Sequence, residues 1–252
     1  MAISTPTSAL LLLLLPAIFG LLIPSCTADN ILYTDETLYT GQSLTYGSYR
    51  FTIQSDCNLV LYDSGNAVWS SGTDNRGNNC ILKMQADGNL VIYSNGNALW
   101  ASNTSRDRGN YILVLQRDRN VVIYGPAIWA TGTNYGTSGV VISRNATGTP
   151  VVVASAAEDT LNTGKSLTYG SYRFSMQSDC NLVLYNSNRA VWSSGTYNHG
   201  KNCILKMQAD GNLVIYNNGN ALWASNTSRN RANYILVLQR DRNVVIYGPA
   251  IW

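Results

Sequence analysis

One nine-residue pattern, Gln-x-Asp-x-Asn-x-Val-x-Tyr, recurs six times and limits what this chain can fold into. The first three copies hold Gln54, Asp56, Asn58, Val60 and Tyr62; Gln85, Asp87, Asn89, Val91 and Tyr93; and Gln116, Asp118, Asn120, Val122 and Tyr124. The last three hold Gln177, Asp179, Asn181, Val183 and Tyr185; Gln208, Asp210, Asn212, Val214 and Tyr216; and Gln239, Asp241, Asn243, Val245 and Tyr247. What stays constant is every second residue, and a period of two belongs to a β-strand, whose side chains alternate between faces. The pattern predicts an extended nonapeptide. One face carries an amide, a carboxylate, an amide, a small apolar patch and a phenol, and the other turns aliphatic residues inward. A half-buried strand needs its outer face only to be polar. Duplication accounts for the match between the two halves of the chain. It accounts less well for the match among three copies within one half, whose surroundings have diverged. The repeated face is therefore read as a ligand-binding surface.

Two periods are nested. Gln54, Gln85 and Gln116 are 31 residues apart, as are Gln177, Gln208 and Gln239, and a shift of 123 carries Leu38–Trp129 onto Leu161–Trp252. The expectation is an all-β protein of two tandem domains, 29–133 and 160–252, each of three subrepeats. The intervening 134–159 is a linker or a propeptide; it begins Gly/Thr-rich, and its apolar patches Val140–Ile142 and Val151–Val153 are short strands or part of an excised piece. In each subrepeat a turn, rich in Asn and Gly in the first two, joins the motif to a short strand ending in tryptophan, as in a hairpin. Further strands, such as Cys80–Met84, lead into each motif. Three small antiparallel sheets per domain would surround an axis where Trp69, Trp100 and Trp129 meet, with Trp192, Trp223 and Trp252 meeting in the second. Tryptophan also serves as a sugar-stacking platform, but this periodicity argues for core.

Residues 1–28 read as a signal peptide: the apolar run Leu10–Ile23, broken by Pro16 and Gly20, leads to small residues ending at Ala28. A membrane anchor would need about 20 uninterrupted apolar residues, so no span is expected after its removal. A secretory route, with an extracellular or vacuolar destination, makes disulfides possible. Cys26 leaves with the signal peptide, and the remaining cysteines fall at one spacing, as Cys57/Cys80 and Cys180/Cys203. One bridge within each domain is the economical pairing, contributing roughly 3 kcal/mol by loop entropy. Sequons at Asn103, Asn145 and Asn226 are candidates for N-glycosylation.

A net charge of +3 is too small to imply a nucleic-acid partner. The single histidine, His199, stands in a turn where the first domain has Arg76, so no Ser-His-Asp set is available in both. Each motif has one Asp with no carboxylate partner for acid–base work, and a lone carboxylate between amides is a poor cation cage. No catalytic residue, metal or cofactor is expected. Asp and Asn together, with Gln before and Tyr after, instead suit a polyol: the carboxylate accepts, the amides donate and accept, and the phenol does either. Val60 and its equivalents offer a patch for the C–H surface of a sugar ring. Such a site rejects an epimer that misplaces a hydroxyl.

In this pattern, three times per domain with a Cys pair in the first subrepeat, the chain resembles the monocot mannose-binding lectins, the snowdrop or bulb-type family. Asp29-Asn-Ile-Leu-Tyr33 is similar to the start of a mature subunit, and the resemblance spans 29–252 except the linker. It implies a β-prism II fold that binds α-D-mannose and high-mannose glycans without metal or catalysis. It also implies that Asp and Asn engage the axial 2-hydroxyl, Gln the 3-hydroxyl and Tyr the 4-hydroxyl, with Val against the ring. All six motifs are intact, so all six are expected to be competent, in a role the family suggests is plant defence. The rival expectation is a storage or interaction protein that keeps the prism without the sugar. Family members often exchange the strand beyond the last tryptophan to form dimers. Here Ala130–Thr133 follows Trp129, but the sequence ends at Trp252. Either the two domains pair with each other or the chain is a shortened form, and a homo-oligomer stays open.

Overall fold

The computed structural model describes residues 29–135, the backbone of Val152–Ala154, and residues 160–252; the expected signal peptide, Val140–Ile142 and the Asn145 sequon lie outside the described residues. All regular structure within them is β, in six antiparallel sheets that make two three-sided prisms. In the first prism one sheet joins Ser43–Tyr46, Tyr49–Ile53, Leu59–Asp63 and Asn66–Ser70. A second joins Thr37–Tyr39, Ile81–Met84, Leu90–Ser94 and Asn97–Ala101, and a third Ile31–Tyr33, Ile112–Leu115 and Val121–Tyr124. Alternation sends Phe51, Ile53, Leu59 and Leu61, Leu82, Met84, Leu90 and Ile92, and Leu113, Leu115 and Ile123 into one core. The second prism repeats this with Phe174, Met176, Leu182, Leu205, Met207, Leu236 and Leu238 among others. Each such side chain contributes roughly 1.5–3 kcal/mol by leaving water. The bridges Cys57–Cys80 and Cys180–Cys203 form as expected, each with Cα atoms 5.3 Å apart, and tie the first motif of a prism to its second sheet.

The nonapeptide is not the continuous strand that its period suggests. Only its second half is extended, Leu59–Asp63 in the first copy. Gln54–Asn58 is a tight turn, closed by Gln54 N–H to the Asn58 carbonyl at 2.9 Å and Cys57 N–H to the Gln54 carbonyl at 3.1 Å. The Asp56 carboxylate accepts from the Asn58 N–H at 2.9 Å, a local bond that competes with the sheet ladder. The fourth residue of every copy (Cys57, Gly88, Arg119, Cys180, Gly211, Arg242) is left-handed, with φ between 69° and 84°.

The tryptophans also group differently. Trp69 and Trp100 meet Trp252, not Trp129, edge to face with ring centroids 6.1 Å apart. Trp129 meets Trp192 at 6.0 Å and Trp223 at 5.9 Å. The strand Ala127–Ala130 crosses to the second prism and pairs with Val244–Tyr247. The chain then returns: Ile251 N–H donates to the Ile123 carbonyl at 2.8 Å, and Ile123 N–H to the Trp252 carbonyl at 3.1 Å. The spans 29–133 and 160–252 therefore do not enclose the folded prisms, since the strand Ala127–Ala130 joins the second prism and the end segment Ala250–Trp252 bridges back to the first. Both segments read Ala-Ile-Trp, so either completes either prism, and exchange lets the two third sheets lie face to face. Ile31, Ile112, Val114, Val122 and Tyr124 pack there against Ile235, Val237, Val245 and Tyr247. The two domains thus pair with each other within the chain. Val152–Ala154 is a strand, on the edge of Ile235–Leu238.

Candidate functional site

The turn in each motif brings the alternate residues together although they do not share a strand. In the first copy Gln54 Nε2 donates to Tyr62 Oη at 2.7 Å, leaving Gln54 Oε1 as an acceptor and the phenol proton as a donor. Asp56 spends one oxygen on the Asn58 N–H and keeps the other. Asn58 Oδ1 accepts from Ser71 Oγ at 3.2 Å and from Thr73 N–H at 3.3 Å, so Asn58 presents its NH₂. The polarity of the cradle is set: acceptors on Gln54 and Asp56, donors on Asn58 and Tyr62. The same Gln–Tyr bond occurs in the other copies, at 2.8 Å from Gln85 to Tyr93 and from Gln208 to Tyr216, and at 2.6 Å from Gln177 to Tyr185.

Ser71 and Thr73, which the sequence did not single out, hold the cradle in place. Ser71 Oγ also accepts from Leu59 N–H at 3.0 Å and lies 2.7 Å from Thr73 Oγ1, which donates to the Cys57 carbonyl at 2.7 Å. This hydroxyl clamp recurs as Ser102/Thr104 on Asn89, Ser194/Thr196 on Asn181 and Ser225/Thr227 on Asn212. On Asn243 it is Thr131/Thr133, delivered by the exchanged strand from the other prism. Among the described residues Asn120 has no such pair. The signal was present as Ser/Thr-x-Thr two residues after Trp69, Trp100, Trp129, Trp192 and Trp223. Ser71→Ala, Ser102→Ala, Ser194→Ala and Ser225→Ala together remove one of the two donors that hold each asparagine. Titration with methyl-α-mannoside is expected to show about tenfold weaker binding, the worth of one misplaced hydrogen bond. The four Ser→Thr changes should bind normally, because Thr131 already fills that role.

The six cradles are unequal in access. Tyr62, Tyr93, Tyr185 and Tyr216 are half-buried, but Tyr124 is 4% exposed and Tyr247 3%. These two lie on the faces that press the prisms together, and burial raises both phenol pKa values. Gln239 is buried as well, and desolvation raises the Asp241 carboxyl. Beside it Arg240 pairs with Glu36 and, at 3.6 Å, with Asp29, and lies 4.9 Å from the centre of the Tyr33 ring. The third motif of each prism thus differs from the other four at its phenol: Tyr124 and Tyr247 are buried between the prisms, whereas Asp118 and Asn120 stay exposed. The open cradles differ in their flanks. Arg50 stacks 4.6 Å over Tyr62 and Arg173 4.3 Å over Tyr185, whereas Gln85 and Tyr93 line a cleft with Ile81 and Lys83.

No family model matches the chain. Over 207 residues it is 35% identical to the mannose-specific lectin TAR1 of Colocasia esculenta, a match covering 78% of this chain and 85% of that protein. The chain belongs to the monocot mannose-specific lectin family. The mannose-specific lectin of Galanthus nivalis is 54% identical over 74 residues, 29% of this chain and 47% of that relative, so this match spans about half of the relative's length. Among solved structures, the fetuin-binding agglutinin of Scilla campanulata, a two-domain lectin, aligns with a TM-score of 0.79 at 41% identity. The alignment covers 88% of this chain and 99% of that one. The all-β architecture of the present lectin matches such two-domain bulb lectins, and like its relatives it is a lectin, not an enzyme.

Proposed function

We propose that this lectin binds α-D-mannose through four cradles, those of Gln54, Gln85, Gln177 and Gln208, and high-mannose glycans through cradles on both prisms, with no metal and no covalent step. The observation that carries the reading is the set polarity of each cradle. The axial 2-hydroxyl accepts from Asn58 Nδ2 and donates to the free oxygen of Asp56. The 3-hydroxyl donates to Gln54 Oε1, the 4-hydroxyl accepts from Tyr62, and Val60 meets the ring. Glucose has its 2-hydroxyl equatorial and galactose also has its 4-hydroxyl axial, so each leaves polar groups of the cradle unpaired. Each cradle is shallow, and a millimolar constant is only about 4 kcal/mol. Cradles on both of the two locked prisms give branched ligands the simultaneous contacts that raise avidity by roughly 10²–10⁴. The two disulfides support a secretory, extracellular or vacuolar location. Calorimetric titration of the mature chain should give close to four methyl-α-mannoside sites and no heat with methyl-galactoside. Six sites would refute the closure of the third cradles, and none would refute mannose binding.

A further inference from the structure

We propose that Asn103 and Asn226 carry N-linked glycans, and that each glycan stands on the rim of one mannose cradle and closes it to branched ligands. The inference rests on the cradle reading above and adds a division among the open sites. Asn103 sits between Ser102 and Thr104, which hold Asn89 Oδ1 at 3.1 and 3.3 Å; Asn226 sits likewise between Ser225 and Thr227 on Asn212. Both asparagines are exposed, and neither side chain makes a hydrogen bond among the described residues.

The turn explains part of this sequence but not all of it. At the same place the other clamps have Gly72, Gly132 and Gly195, with φ of 66°, 65° and 74°, and Asn103 and Asn226 take 58° and 57°. Asparagine tolerates this left-handed region better than other residues with a side chain. The backbone thus accounts for asparagine, but not for Ser105 and Ser228 two residues further on. Those positions hold Asp74, Asn134 and Tyr197 in the clamps that have glycine. Ser105 and Ser228 are exposed and make no hydrogen bond among the described residues. A serine two residues on appears only where the rim residue is asparagine, and together they make a glycosylation acceptor.

The donor is the lipid-diphosphate-linked oligosaccharide of the secretory pathway. The Asn103 amide nitrogen loses a proton and bonds to the anomeric carbon of the first sugar, and the lipid diphosphate departs with the bond it breaks. The attached chain then rises beside Asn89. The Gln54 and Gln177 cradles, rimmed by Gly72 and Gly195, stay open.

The test uses the full chain secreted from a eukaryotic host, alongside Ser105→Ala/Ser228→Ala, which removes both acceptors without touching the turn. Mass spectrometry should find glycan on the Asn103 and Asn226 peptides of the parent chain only. Titration with a branched oligomannose should count two sites on the parent and four on the variant, while methyl-α-mannoside counts four on both. Bare asparagines in the secreted chain, or equal counts of oligomannose sites, overturn the proposal. A variant that binds no methyl-α-mannoside instead overturns the cradle reading beneath it.

Discussion

Asp56→Asn, Asp87→Asn, Asp179→Asn and Asp210→Asn in one chain are expected to abolish mannoside binding while leaving the fold intact. Asparagine keeps an Oδ1 to accept from the N–H two residues on, which in the native turn reaches Asp56 at 2.9 Å, Asp87 at 3.0 Å, Asp179 at 2.9 Å and Asp210 at 3.0 Å. The atom facing the ligand changes from a charged acceptor to an NH₂ donor, set against a hydroxyl that already receives a proton from the neighbouring Asn. A hydrogen bond to a charged group is worth about 1.5–3 kcal/mol. Losing it takes a weak single-site affinity beyond detection. The companion variant Asp118→Asn/Asp241→Asn should bind like the parent, since the phenols of those two motifs, Tyr124 and Tyr247, are buried at the domain interface. Retained binding in the fourfold variant, or lost binding in the companion, would reverse the assignment of working sites.

Trp252→Ala should loosen the first prism and Trp129→Ala the second, the opposite of their order along the chain. Trp252 completes the ring triad with Trp69 and Trp100, and Trp129 that with Trp192 and Trp223. Removing a large aromatic from a core costs about 3–5 kcal/mol, with the lower figure apt here because both rings are only partly buried. Hydrogen exchange locates the loss: for Trp252→Ala protection should fall across 37–101, and for Trp129→Ala across 160–224. Loss confined to the prism nearer in sequence would contradict the exchange of strands.

The interface that buries Tyr124 and Tyr247 has a trace in the sequence. Thr52, Lys83 and Val114 hold equivalent places in the three subrepeats, and Ser175, Lys206 and Val237 repeat the series. Only the third subrepeat has an apolar residue there, and its strands Ile112–Leu115 and Ile235–Leu238 are buried on both faces. Strands covered on both sides read as unbroken apolar runs. That run says that something covers the third motif; it does not say what. The hydroxyl clamp was likewise visible as a Ser/Thr-x-Thr spacing, but nothing in a spacing shows that Thr131 reaches Asn243 across 112 residues.

The sequence alone determined the units: strand-rich repeats, two sets of three, two disulfides, and a constant group of Gln, Asp, Asn, Val and Tyr. Those follow from local periodicity and from cysteine spacing, which are properties of short segments. It misread the motif as one strand, because Asx turns also preserve alternation when they bring side chains together. Tertiary structure decided which tryptophan completes which prism and which phenols remain open to solvent. Identical Ala-Ile-Trp segments satisfy either core equally, so only the apolar surface buried between the third sheets distinguishes exchange from self-closure.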